Sequence, residues 1–170
     1  MTTLKQLNEL AKECEKCALQ DSRSINQHLM ECNTCGEYHE KAESFNTILK
    51  EIRLIATKTD DARHRELHER ISRMANMDDE GRKEAILLLL DATAIVPEHD
   101  RVKLVRTRTE ILTDLPKYER DPLMKTIIEV SKDWDKERKR IEKNALDKAT
   151  EDYPVLKKMM VRNIFEGMLE

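Results

Sequence analysis

Apolar residues along this chain recur at steps of three and four, the spacing that lines one face of an α-helix. The period-two alternation of a half-buried strand is missing. Leu4, Leu7, Leu10 and Ala11 open such a face and run towards Cys14. Asp21, Ser22 and Ser24 offer N-caps before Ile25 and Leu29, which predicts a short second helix. Ala42, Phe45, Ile48, Leu49, Ile52 and Ile55 mark a long third helix, expected to begin just after Cys35. It should end near Thr57, Lys58, Thr59 and Asp60.

From residue 61 onward the pattern reads as three helical pairs. Leu67, Ile71 and Met74 mark one helix, residues 76–79 a turn, and residues 84–96 its partner. Pro97 can open a helix whose apolar face is Val102, Leu104, Val105, Ile111 and Leu112. Leu115 and Pro116 interrupt it, and Asp121-Pro122 predicts the start of the next helix, with Leu123, Met124, Ile127, Ile128 and Val130. Trp134, Ile141, Ala145, Leu146 and Ala149 form the fifth apolar face. Pro154 precedes a sixth, through Leu156, Met159, Met160, Ile164, Phe165 and Leu169. The turns fall at unequal steps, compatible with a helical bundle or with a short stack of helical hairpins. The expected fold is therefore all-α. Residues 1–57 form a cysteine-rich metal-binding helical module with a long connecting helix, and residues 61–170 a helical-hairpin domain.

Composition narrows the function classes. Of 170 residues, 38% are charged and 4% aromatic, and three glycines (Gly36, Gly81, Gly167) are too scattered to cradle a phosphate in a Walker or Rossmann loop. Lys plus Arg number 31 against 34 Asp plus Glu, and the signs are interspersed rather than blocked, which disfavours a general nucleic-acid binder. The longest apolar run, Ala85 to Leu90, is far too short to span a membrane, and the first residues lack a signal-peptide apolar segment. These features lead one to expect a soluble, cytoplasmic protein with reduced thiols.

The strongest chemical signal is Cys14-Glu15-Lys16-Cys17 and Cys32-Asn33-Thr34-Cys35: two C-x2-C pairs separated by fourteen residues. Two residues between thiolates let both sulfurs face one ion, and four thiolates complete a tetrahedron around Zn²⁺. An iron–sulfur cluster uses the same four thiolates and is the alternative cofactor. His28 lies one helical turn before Cys32, so it is an alternative ligand or a hydrogen-bond donor to one of the ligands. With four protein ligands the zinc would be structural, holding together a segment too short to bury much apolar area.

The stretch from Ile25 to Cys35, with its H-x3-C-x2-C spacing followed by a charged helix, resembles the zinc finger of anti-sigma factors. In that family the helix end and one upstream Cys or His bind zinc, and the small helical domain sequesters a transcription factor. The resemblance implies His28, Cys32 and Cys35 as ligands, with Cys14 or Cys17 as the fourth. This chain departs from the family in offering two upstream cysteines, and the resemblance stops at the N-terminal segment.

Other groups read more plainly. His64 and His68 sit one turn apart, yet Arg65 stands where a zinc protease needs Glu, so an exposed helix face is expected, and His39 reads as a surface residue. No His has Glu three residues before it, which removes the di-iron carboxylate class. Two basic runs, Arg101, Lys103, Arg106, Arg108 and Lys136, Arg138, Lys139, Arg140, read as solvated faces sooner than as a nucleic-acid site. Most methionines fall at apolar positions and read as core fillers, with an adaptable partner groove as the minority reading. No catalytic set can be assembled, so the expectation is a non-catalytic zinc-binding regulatory or interaction protein that meets a protein partner or itself. Alternatives are a nucleic-acid-binding transcriptional regulator and an iron–sulfur redox protein.

Overall fold

In the computed structural model the described residues are Leu7, residues 9–14 and residues 33–169. Leu7 and residues 9–14 are helical. Seven helices then follow: α1 (Asn33–Ala56), α2 (Asp60–Ala75), α3 (Asp79–Ile95), α4 (Glu98–Asp114), α5 (Lys117–Ser131), α6 (Lys136–Ala149) and α7 (Val155–Leu169). The all-α expectation is met.

The connections are short because each new helix is capped almost where the last one stops. Asp78 and Asp135 are N-caps whose carboxylates accept from the amides of Gly81 at 2.8 Å and Arg138 at 2.7 Å. Pro97 and Pro116 occupy the caps of α4 and α5, where a missing N–H leaves no donor unsatisfied. Acidic residues crowd the first turns of α2, α3 and α4, opposite the positive end of each helix dipole.

Several boundaries differ from expectation: α3 begins at Asp79, five residues before the expected start at 84. The fifth helix starts at Lys117 rather than at Asp121-Pro122, because Glu119 and Arg120 already donate to the Pro116 carbonyl, each at 3.0 Å. Pro122 is thereby carried inside α5. Trp134 does not belong to the face of α6; it precedes the Asp135 cap and stacks its ring beneath the Arg138 guanidinium, 4.6 Å away. The first long helix also starts slightly early, at Asn33, which puts Cys35 in its first turn.

Each helix packs most closely on the one two places along the chain: α1 on α3, α2 on α4, α3 on α5, α4 on α6 and α5 on α7. The molecule is thus two cross-packed rows, α1-α3-α5-α7 and α2-α4-α6. One apolar core runs through them from Leu7 by way of Ile52, Leu90, Leu112 and Leu123 to Phe165 and Met168. Further contacts join the rows, α2 on α5 and α1 on α4 among them, so the whole is a helical bundle. Its end helix, α7, packs against α5, α4 and α6.

Candidate functional site

The cysteine constellation falls mainly outside the described residues. Cys17, His28 and Cys32 lie beyond them, and of Cys35 only its backbone position in the first turn of α1 is described. Cys14 ends the helical stretch of residues 9–14 as a half-exposed free thiol. Among the described residues no three His, Cys, Asp or Glu side chains are grouped so as to hold a metal. His39 and His68 are exposed; His64 is half-buried, its ring stacked on His68 at 6.1 Å between centroids.

The two basic runs are only in part the solvated faces that their spacing suggests: Lys103, Lys136 and Arg140 are exposed, but other members are drawn inward. Arg108 of α4 is buried and pairs with Glu142 of α6, which is itself fully enclosed. Arg138 of α6 reaches across to the Leu90 carbonyl of α3 and lies 3.8 Å from the Asp91 carboxylate. Arg101 donates to the Ala94 carbonyl, Arg106 pairs with Asp152 at 3.0 Å and Arg140 with Glu137 at 2.6 Å. Arg108, Arg138 and Arg106 find acidic partners on other helices or in the α6–α7 turn, whereas Arg140 and Lys103 pair with Glu137 and Asp100 on their own helices. Burial pushes the Glu142 carboxyl up, but Arg108, Arg138 and Arg101 together outweigh it and hold the group below its ordinary value. Arg138 is shifted down, by burial first, with Glu142 and Asp91 opposing. This network ties α3, α4 and α6 together, joining the two rows.

A second cluster fixes the turn before α7. The buried Tyr153 donates its hydroxyl to Glu110 of α4 at 2.8 Å, and its ring lies beneath Lys157 (4.2 Å) and Arg106 (5.4 Å). Burial, then the Glu110 bond, pushes the Tyr153 phenol up; Arg106 holds Asp152 down. With the turn so anchored, α7 sets Val161, Phe165 and Met168 into the core. Gly167 permits close approach to α5: a Cβ there would stand 3.2 Å from Ile128 Cδ1.

The other side of α7 departs from the expected core assignment. Leu156 is 81% exposed, Val155 73%, Met159 57% and Met160 46%. Met74, Met124 and Met168 are core residues as anticipated, whereas Met159, Met160 and Met77 face water. The reason is geometric. The apolar residues of α7 occupy both sides of the helix, and among the described residues α5, α4 and α6 cover one of them. Four adjacent apolar side chains on one exposed face constitute the best-formed candidate site, a contact surface without reactive groups. The signal was present in the sequence: Val155, Leu156, Met159, Met160, Val161, Ile164, Phe165, Met168 and Leu169 are too many for one stripe. Among the described residues no helix is long and apolar enough to cross a membrane. Comparison with models of protein families, with curated proteins and with solved structures gives no match for this chain.

Proposed function

We propose that this chain is a non-catalytic interaction module: a helical stack that presents the outer face of α7 to a protein partner. A zinc ion held by Cys14, Cys17, Cys32 and Cys35 would staple its front end. The observation that carries the reading is the exposed quartet Val155, Leu156, Met159 and Met160, on a helix whose opposite face is buried down to 0% exposure at Phe165. Contiguous exposed apolar groups on a rigid element favour contact with another macromolecule. The nucleic-acid alternative draws less support, because Arg101, Arg106, Arg108, Arg138 and Arg140 are engaged within the chain. The zinc rests on the paired C-x2-C spacing, with His28 as the alternative ligand.

Two experiments test the two halves of this reading. Photo-crosslinking from position 163, beside the exposed quartet, should trap at least one partner in cells, and Leu156→Glu should remove that adduct without altering the helical circular dichroism. Identical adducts from both proteins would remove α7 as the contact face. Anaerobic purification followed by metal analysis should give one zinc per chain, lost in Cys32→Ser; a coloured, iron-containing preparation would replace zinc by a cluster.

A further inference from the structure

We propose that the outer face of α7 docks an amphipathic helix whose apolar stripe is bordered on both sides by acidic residues; this rests on the interaction reading above and names its partner's chemistry. At 100° per residue, Val155, Leu156, Met159 and Met160 span a sector of about 140° on the α7 surface. Lys158 and Arg162 border that sector on one side and Lys157 on the other, while Asn163 and Glu166 share it one to two turns further along the helix. None of the three cations is paired with a carboxylate of the described residues. Lys158 donates to the Glu151 carbonyl, Lys157 lies over the Tyr153 ring, and Arg162 is exposed. An apolar strip bordered by three cations against the single carboxylate of Glu166 complements an apolar strip between anions. The two methionines give the strip a surface that can adapt to the incoming side chains.

The same charges argue against the other occupants. A second copy meeting patch to patch across a two-fold axis would bring the lysines of both molecules alongside one another, a like-charge arrangement. An anionic lipid surface would suit the cations. The apolar face that could insert more deeply is, however, locked into the core.

The test titrates the full chain with a fluorescent helical peptide bearing a Leu stripe flanked by Glu, and with a twin carrying Lys in place of Glu. The Glu-flanked peptide should bind at least about tenfold more tightly at low salt, the margin shrinking as salt rises. Lys158→Glu with Arg162→Glu should reverse the preference, and Leu156→Glu should weaken both peptides. Equal affinity for the two peptides, unaffected by salt, would overturn the acidic-partner proposal while leaving α7 as a contact face. Failure of both peptides to bind, with concentration-dependent dimerisation in sedimentation that Leu156→Glu abolishes, would replace the partner by a second copy. Binding to phosphatidylserine vesicles in preference to either peptide would overturn the proposal in favour of a membrane. No binding to peptide, copy or vesicle would overturn the proposal and the contact-face reading together.

Discussion

The middle of this molecule and its last helix break the usual arrangement of polarity in opposite ways. Between α3, α4 and α6 the chain buries Arg108, Glu142 and most of Arg138. On α7 it leaves Val155, Leu156, Met159 and Met160 in water. The first departure is compensated inside the chain, since each buried charge lies close to an opposite one. The second has no compensation among the described residues. A buried ion pair is compensated within the architecture; an exposed apolar strip is not, which is why the proposed contact face is placed there. Substitutions should therefore separate the two regions cleanly, with large losses of stability at the first and small ones at the second.

The largest effect belongs to Glu142→Ala. It leaves Arg108 and Arg138 facing each other without their shared anion, and the expected loss is about 3–5 kcal/mol in urea unfolding. Replacing both partners, Arg108→Met with Glu142→Leu, should recover most of it, because desolvating the pair already offsets much of its attraction. A single-mutant loss below about 1 kcal/mol would mean that water reaches this interior and that its polarity is ordinary.

The same network gives a pH dependence of definite sign. The Glu142 carboxyl titrates below 4.5 in the folded protein, so its contribution is fully present above that value. It is lost as the pH falls from about 4.5 through the lower folded-state value. Urea midpoints measured down this range should fall more steeply for the wild type than for Glu142→Gln. Asp152, held down by Arg106 but exposed to solvent, should contribute much less and fade with added salt.

The helices were legible in the sequence because each buries one apolar stripe, as at Leu67-Ile71-Met74 or Leu123-Met124-Ile127-Val130. What escaped were features decided by partners remote along the chain. Arg108 reads as one cation in a run until folding brings Glu142 from 34 residues away. Pro122 looks like a helix start until Pro116 is seen to have taken that place. Leu156, Met159 and Met160 look like core until the rows end with none of the described residues covering them. Periodicity reports that a face is apolar, and only the neighbouring helices decide whether it is covered.

An intermediate effect is expected at the joint between the two regions. Tyr153→Phe keeps the ring under Lys157 and Arg106 but removes the hydroxyl that donates to Glu110 at 2.8 Å. The loss should be about 1 kcal/mol, and hydrogen exchange should quicken in α7 before it does in α3 or α4. Uniform acceleration across all the helices would show that α7 unfolds only with the whole stack.

The smallest effect is the most informative. Leu156→Glu replaces the most exposed apolar residue of α7, and an isolated surface change of this kind shifts stability by about 0.5 kcal/mol or less. Phe165→Ala, on the buried side of the same helix, should cost about 3–5 kcal/mol through the cavity it leaves. The pair shares one helix, one set of neighbours and one unfolding transition, so the difference isolates which side of α7 the fold uses. If Leu156→Glu were to destabilise the chain as Phe165→Ala does, the outer strip would be covered by the protein itself, and it could not serve as a surface for anything else.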